Sequence, residues 1–235
     1  MVPARRPGGQ QKIPSPSGRR PAGDALWSAL PGSFSLGDVV ARVGAYQEVL
    51  AELPTPRTDE RVSAVMILLA EGPSGAEVLL TRRTETLNNH KGEMSFPGGR
   101  VDADEGLIEA ARREAWEEVG VDPSSVTVVG RLSPLSTFVS RSFIVPVVGV
   151  LSSHPVLTLH EVEVDRAMWV PLVELVRADT FSWEWWDFTG LPDSQERAMF
   201  FFHLDDETVW GATARMLHEL LCVVHGANHL DICNW

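Results

Sequence analysis

The segment at residues 96–121, FPGGRVDADEGLIEAARREAWEEVGV, constrains the fold of this chain more than any other part of the sequence. Residues 105–119 contain no proline and are rich in Ala, Glu, Arg and Leu, which predicts a helix that ends at Gly120. The acidic residues before it are typical of a helix start, where they meet the positive end of the helix dipole. The preceding Gly98 and Gly99 let the backbone turn sharply and approach a ligand or a metal closely.

The predicted helix carries an apolar stripe and an acidic arc side by side. At about 100° per residue the stripe consists of Ile108, Ala111, Ala115 and Val119, and the arc consists of Glu114, Glu117 and Glu118. The spacing of the glutamates places their Cβ atoms about 5–6 Å apart, and like charges at that distance destabilise a bare helix. Either the arc is a solvated charged face, or its oxygens bind a hard cation such as Mg2+ or Mn2+.

The order of residues in this segment resembles the Nudix box. The pattern G-x5-E-x7-R-E-A-x-E-E-x-G-V is filled from Gly99 to Val121. The resemblance implies an α/β protein with the Nudix-type α/β/α sandwich, in which a mixed β-sheet lies between helices. It also implies a Nudix pyrophosphohydrolase, a metal-dependent enzyme that hydrolyses a pyrophosphate linked to another group.

Metal-binding roles follow from the resemblance together with the helical spacing. Glu114 and Glu118, one turn apart, are the expected primary ligands of Mg2+ or Mn2+, and Glu117 is a third. The carbonyl of Gly99 is expected to complete the ligand set. Arg113 is expected to orient a carboxylate rather than to touch the substrate.

Catalytic and substrate-binding roles fall on a second group of residues. The candidates for the general base are Glu117 in the box and Glu163 outside it. Arg83 and Arg100 are candidate phosphate contacts, and Gly98 and Gly99 are expected to line the substrate site. Glu105 is either a peripheral ligand or a helix-start residue.

The region upstream of the box, LLTRRTETLNNHKGEMSFPGG, resembles the coenzyme A pyrophosphatase subgroup of the family. Asn88 stands where the subgroup pattern has Arg, and an Asn cannot pair bidentately with a phosphate. The resemblance implies hydrolysis of coenzyme A to 4′-phosphopantetheine and adenosine 3′,5′-bisphosphate. Two alternatives remain: a Nudix hydrolase of another nucleoside diphosphate derivative, such as ADP-ribose or a dinucleotide, and a non-catalytic nucleotide-binding regulatory module.

The charge of the chain argues for a small-molecule partner. The formal net charge is −12, and residues 1–23 contain basic residues but no acid, so the remainder is more acidic than the whole. Such a body repels nucleic acid. The absence of an apolar run of about 18 residues argues against a membrane partner. Two cysteines and no signal peptide favour the cytoplasm, and the oligomeric state is left open, with a homodimer as one option.

The sequence predicts four regions. Residues 1–30 are expected to be a disordered basic tail, 31–59 an N-terminal helix and linker, 60–228 the Nudix hydrolase domain, and 229–235 a C-terminal tail. Within the domain, Pro146 predicts an edge or a bulge in a strand over 142–151. The tryptophan-rich segment 181–188 is expected to be a lid or loop on the core, or a surface that stacks on a base or another subunit.

Overall fold

The computed structural model describes residues 5–30, 34–47, 55–87, 90–137, 141–187 and 196–228. Asn88 and the tail at 229–235 lie outside these residues. The helices are α1 (Leu36–Tyr46), α2 (Leu107–Val119), α3 (Leu172–Leu175) and α4 (Gly211–His225). The strands are β1 (Gly18–Pro21), β2 (Arg61–Gly72), β3 (Gly75–Arg83), β4 (Met94–Ser95), β5 (Gly98–Arg100), β6 (Thr127–Arg131), β7 (Leu135–Ser136), β8 (Ser142–Val150), β9 (Val164–Pro171), β10 (Phe181–Asp187), β11 (Arg197–His203) and β12 (Thr208–Val209). None of the helices in this part of the chain is long and apolar enough to span a bilayer.

A mixed main sheet forms the centre of the domain. Its strands follow the order β4-β3-β2-β8-β6, while β5 pairs with β2, β7 with β8 and β9 with β3. Strands β2 and β8 are parallel, and the pairs of β3 with β2 and of β6 with β8 are antiparallel. The short β5 places the residues just before α2 against the first half of β2.

Alternation along β2 divides the core between the two faces of the main sheet. Ala64, Met66 and Leu68 pack with α2, whereas Ile67 and Leu69 pack with α1, α4 and the second sheet. Because successive side chains in a strand point to opposite faces, one continuous apolar run contributes to the core on both faces of the sheet. The predicted α/β sandwich with a mixed sheet between helices is confirmed.

A second antiparallel sheet, in the order β1-β10-β11-β12, lies on the side of α4. The tryptophan-rich segment is strand β10 of this sheet, with Trp183 and Trp186 buried, and not a lid or loop. Its neighbour β1 comes from the basic tail, which the sequence predicted to be disordered. The pairing with β10 provides hydrogen-bond partners for the backbone N–H and C=O groups of a segment that has few apolar side chains of its own.

Of the two expectations for Pro146, the edge strand is wrong. Strand β8 lies inside the main sheet between β2 and β6, with a continuous register against β2 over residues 142–150. Pro146 lies opposite residues 132–134, where the chain passes from β6 to β7 and the register is irregular, and its carbonyl accepts from the backbone nitrogen of Leu132 at 3.0 Å. The sheet therefore accommodates the proline at an interruption in a neighbouring strand.

Candidate functional site

Helix α2 and the turn before it form one unit on the face of β2. The backbone nitrogen of Gly106 donates to Oε2 of Glu109 at 2.7 Å, which caps the helix start. The helix ends at Gly120, whose φ of +73° is a conformation that favours glycine. A Cβ added to Gly98 would lie 2.6 Å from both the carbonyl oxygen of Ala64 and Cα of Val65. The absence of a side chain at Gly98 thus allows the turn to approach β2.

Glu118 lies on the buried face of α2. Its side chain is 4% exposed, and its Oε2 has no hydrogen-bond partner. Burial raises the pKa of this carboxyl to about 8, and the nearby charges of Glu114 and Glu163 contribute in the same direction. The prediction that Ile108 belongs to the buried stripe is wrong, because it is 39% exposed while Ala110 is buried.

Glu114 lies close enough to Glu118 for its charge to act on it, and its carboxylate occupies the space left by Gly99. A Cβ at Gly99 would overlap the Glu114 carboxylate. Burial raises the pKa of Glu114, and the charges of Glu117 and Glu163 add to that shift against the opposing effect of Arg113. Two carboxylates with raised pKa values thus lie beside the glycine turn, where added positive charge would stabilise both ionised forms.

Arg113 donates several hydrogen bonds on the exposed side of α2. Its Nε donates to Oε1 of Glu105 at 2.8 Å, and its Nη2 donates to Oε2 at 3.0 Å. Its Nη1 donates to Glu114 at 2.9 Å and to Glu117 at 3.0 Å, while Nη2 also reaches the carbonyl of Arg100 at 3.0 Å. The guanidinium therefore ties two candidate ligands to the glycine turn. Glu105 precedes the helix start and holds this guanidinium.

Sheet pairing brings two distant residues to the carboxylates. Strand β9 pairs with β3, and the backbone nitrogen of Thr84 donates to the carbonyl of Glu163 at 2.9 Å. Arg83 ends β3 with its Nη1 3.9 Å from Oε1 of Glu118. The Glu163 charge raises the pKa of both Glu114 and Glu118, so all three carboxylates face one region.

His160 is a neighbour of this site that sequence reasoning missed. Its backbone nitrogen donates to the carbonyl of Glu118 at 2.9 Å, and its Nδ1 lies 3.6 Å from Oε1 of Glu163. The loop after β8 therefore runs along the end of α2 and links a metal-ligand candidate to a base candidate. No sequence signal pointed to this contact, because it depends on the path of an irregular loop.

Arg100 is not brought to the same region as Arg83. It lines a separate cavity of about 620 Å3 together with Arg61 and Phe143. Glu117 is also peripheral, since its side chain is 53% exposed and paired with Arg113. The structure thus brings together Glu114, Glu118, Glu163 and Arg83.

The chemistry of these carboxylates suits a divalent cation. Within the described residues, no three acidic, His or Cys side chains converge closely enough to form a metal site as they stand. The buried, unpartnered Oε2 of Glu118 and the half-buried Glu114 nevertheless supply an oxygen-only donor set, which hard cations prefer. The residues present therefore fit such an ion, with Gly99 leaving room for the Glu114 carboxylate.

The affinity for Mn2+ is expected to rise with pH. Because the pKa of Glu118 is raised to about 8, a proton must leave before the ion binds, so Kd should fall about tenfold per unit between pH 6 and pH 8. Free Mn2+ measured by electron paramagnetic resonance tests this expectation. Glu118→Gln should bind more weakly and lose most of the pH dependence. An affinity of the unaltered protein that does not change with pH would contradict the assignment.

Comparison with known proteins identifies relatives of this chain. A family model described as NUDIX domain matches residues 60–192. The Arabidopsis thaliana protein named Nudix hydrolase 22, chloroplastic, is 36% identical over 197 residues, which cover 79% of this chain and 61% of that protein. A Pectobacterium atrosepticum protein named uncharacterized Nudix hydrolase NudL is 33% identical over 191 residues, 81% of this chain and 95% of that protein. The crystal structure of a MutT protein from Methanosarcina mazei Go1 is 25% identical, with a TM-score of 0.42, and the match covers 53% of this chain and 84% of that chain.

Proposed function

The chain belongs to the Nudix hydrolase family, and on this premise we propose that it hydrolyses the pyrophosphate bond of coenzyme A or its derivatives with Mg2+ or Mn2+. The products would be 4′-phosphopantetheine and adenosine 3′,5′-bisphosphate. The observation that supports hydrolysis most directly is the buried, unpartnered oxygen of Glu118 beside Glu114. The support for coenzyme A is the sequence pattern upstream of the glycine turn, which Arg83 and Gly92 share with the coenzyme A pyrophosphatase subgroup.

Glu114 and Glu118 would hold the metal, with Glu117 and the carbonyl of Gly99 as further ligands. When bound, such an ion would neutralise negative charge on the phosphate oxygens and lower the pKa of an adjacent water. Arg113 positions two of these carboxylates through the hydrogen bonds from its Nη1. This arrangement provides fixed charge around the phosphate, which is the main requirement of phosphoryl transfer.

Glu163 is the stronger candidate for the general base. Its side chain is 40% exposed, and its charge acts on both Glu114 and Glu118, so it can accept a proton from a water beside them. The alternative base, Glu117, accepts a hydrogen bond from Nη1 of Arg113 at its Oε2, and the positive charge of this partner makes Glu117 a weaker proton acceptor than Glu163. Glu163 therefore receives the proton in our proposal, and His160 positions it.

Arg83 is the proposed contact to the phosphate that leaves with the adenosine or pantetheine half. Its guanidinium lies 3.9 Å from Glu118, a separation longer than a hydrogen bond, so its N–H donors are available to a phosphate oxygen. Arg100 is a less direct contact, because it lines the neighbouring cavity. A substrate that reaches both arginines would extend from the carboxylates across the glycine turn.

A second candidate function is hydrolysis of another nucleoside diphosphate derivative, such as ADP-ribose or a dinucleotide. Asn88 favours this reading, since the subgroup pattern has an arginine there and Asn cannot supply its charge. A regulatory module without catalysis is disfavoured, because such a module has no need of Glu114, Glu117 and Glu118 together.

A panel of pyrophosphate substrates with Mg2+ and with Mn2+, with products resolved by mass, tests the proposal. Coenzyme A should be cleaved to the two products named above more efficiently than ADP-ribose or dinucleotides. Hydrolysis of ADP-ribose or a dinucleotide with no cleavage of coenzyme A would establish the second candidate. No hydrolysis of any member with either ion would refute both.

Asn88→Arg is expected to raise kcat/KM for coenzyme A about tenfold. One added charge-assisted hydrogen bond to phosphate is worth about 1.5 kcal/mol, which corresponds to that factor. Asn89→Arg is the matched control, because it adds the same charge one residue away. An equal rise in both variants would indicate a general effect of charge, and no rise in either would contradict a phosphate contact at position 88.

A further inference from the structure

The N-terminal arm, residues 5–22, lies outside the matched Nudix region and passes close to the second sheet. The backbone nitrogen of Gly9 donates to Oγ1 of Thr208 at 3.0 Å. A Cβ at Gly9 would lie 2.7 Å from Cα of Glu207, so the backbone of the arm runs directly against the turn between β11 and β12. This close approach brings the side chain of Gln11 to the place where the second sheet meets the segment before β4 of the main sheet.

The side-chain amide of Gln11 uses both of its ends. Its Oε1 accepts from the backbone nitrogen of Thr208 at 2.9 Å. Its Nε2 donates to Oε2 of Glu207, and also to the carbonyl of Gly92 at 3.2 Å. Because an N–H needs an acceptor while a carboxylate and a carbonyl need donors, only this orientation of the amide satisfies all three partners. Gln11 therefore joins the second sheet to the segment that follows β3.

Gly92 closes the segment that follows β3. Its backbone nitrogen donates to the carbonyl of Arg83 at 3.1 Å, and the backbone nitrogen of Arg83 donates to the carbonyl of Glu93 at 3.0 Å. The φ of Gly92 is +64°, a conformation that favours glycine. The two peptide groups of Gly92 thus connect Gln11 to the residue that we propose contacts the phosphate.

The acidic partner of Gln11 acts on the same end of β3. Glu207 is 1% exposed, and its Oε1 accepts from Nη1 of Arg82 at 2.7 Å. Successive side chains in a strand point to opposite faces, and accordingly Arg82 meets Glu207 whereas Arg83 lies 3.9 Å from Glu118. Gln11 therefore contacts both the backbone that follows Arg83 and the carboxylate that holds the residue before it.

We propose that Gln11 is a positioning residue for the pyrophosphate substrate: it holds Gly92, and through Gly92 it fixes the backbone of Arg83 and the segment that carries the coenzyme A pattern. The inference rests on the proposed function, which assigns a phosphate contact to Arg83. A segment that is held in place before the substrate arrives loses less conformational freedom on binding. The three partners of Gln11 include none of the proposed metal ligands or bases, so its loss should weaken substrate binding and leave the chemical step unchanged.

Gln11→Ala should raise KM for the best substrate of the panel about fivefold and change kcat by less than about twofold. A neutral hydrogen bond contributes about 1 kcal/mol, which corresponds to the expected factor in KM. The matched control is Gln10→Ala, which removes the same side chain from an exposed position one residue earlier in the arm, and it should leave KM unchanged. Steady-state kinetics at saturating Mg2+ measure both constants.

Gln11→Glu separates hydrogen bonding from packing. Glu has the shape of Gln, but its carboxylate cannot donate to the carbonyl of Gly92 and would face the carboxylate of Glu207. This variant should therefore raise KM at least as much as Gln11→Ala does. A KM equal to that of the unaltered enzyme would show that the shape of the side chain is sufficient, and it would overturn the proposal.

Amide hydrogen exchange follows the segment in the absence of any substrate. In Gln11→Ala, peptides that cover residues 84–93 should exchange about fivefold faster, whereas peptides that cover α2 should be unchanged. Both sets of peptides should match the unaltered protein in Gln10→Ala. Faster exchange along the whole chain would indicate a loss of global stability and would contradict the local role of Gln11.

The kinetic and exchange results distinguish the inference from the function on which it rests. An active Gln11→Ala enzyme with unchanged KM, or unchanged exchange over residues 84–93, would overturn the inference alone. An equal rise of KM in Gln10→Ala, or a lower kcat with an unchanged KM in Gln11→Ala, would contradict the positioning role as well. Hydrolysis of no panel member by the unaltered protein would instead refute the proposed function, and the inference with it.

Discussion

Replacing Glu118 with Gln is expected to lower kcat by about 10^3-fold while the protein remains folded. A metal ligand contributes several kcal/mol of charge stabilisation in the transition state, and each 1.36 kcal/mol corresponds to about a factor of ten in rate. Gln has the shape of Glu but brings no negative charge. Steady-state hydrolysis of the best substrate from the panel, measured at saturating Mg2+, tests the expectation.

Although the substitution lowers kcat, it should raise the free energy of unfolding of the metal-free protein at high pH. The carboxyl pKa of Glu118 is about 8 in the folded state and 4.5 in the reference state, so the folded protein retains a proton that the unfolded chain has lost between these values. Its free energy of unfolding therefore falls as pH rises through that window, by at most about 1.4 kcal/mol per pH unit. In EDTA the Gln variant should match the unaltered protein at pH 5 and exceed its stability at pH 8.

The control for both effects is Glu161→Gln, which removes the same charge at an exposed position close to Glu163. It should leave kcat and the pH dependence of stability nearly unchanged. A Glu118→Gln enzyme with near-normal kcat would refute the ligand assignment. A loss of stability at pH 8 in EDTA would show instead that the ionised carboxylate stabilises the fold.

Alanine at Gly99 is expected to reduce kcat/KM by about 10^2-fold with little loss of stability, whereas alanine at Gly98 should chiefly destabilise the fold. The three atoms nearest to a Cβ at Gly99 all belong to the Glu114 carboxylate, the far end of a flexible side chain that we propose binds the metal. A Cβ at Gly98 would lie 2.6 Å from backbone atoms of Ala64 and Val65 in the central strand. Overpacking of that kind costs about 1–3 kcal/mol.

Urea unfolding and steady-state kinetics on both variants separate these outcomes. Gly37→Ala, in a part of α1 where an added Cβ meets no atom within 4 Å, is the control and should be neutral or stabilising. If Gly99→Ala retained full activity, the Glu114 carboxylate would not need its present position. If both variants lost stability equally, the glycine turn would have a structural role only.

Local spacing was sufficient to predict the carboxylate cluster but not its burial. Glu114, Glu117 and Glu118 were expected together because residues three and four apart share a helix face. Glu118 lies seven residues after Ala111, within about 20° of it on the helix, so the buried face includes it. Which face of a helix is buried depends on the sheet against which the helix packs. The pattern of apolar residues in α2 alone therefore assigned Ile108 to the buried face, where the structure does not place it.

The partners that complete the site depend on strand pairing. Glu163 was considered from its place in the sequence, but its proximity to Arg83 and Glu118 follows from the register of β9 on β3. Pro146 shows the same dependence, since an interruption between β6 and β7 admits it to an interior strand. Such contacts join residues far apart in the chain, and no periodicity in one segment contains information about them.

The amino-acid sequence by itself determined the helix of the box, its glycine turn, the three-glutamate spacing and hence the family and enzyme class. These features depend on backbone conformation and side-chain geometry within a few residues. Only the tertiary structure decided that Glu118 is desolvated, that Glu163 and Arg83 face it, and that the basic arm pairs with β10. Desolvation and pairing require atoms from distant segments, which become neighbours only when the chain has folded.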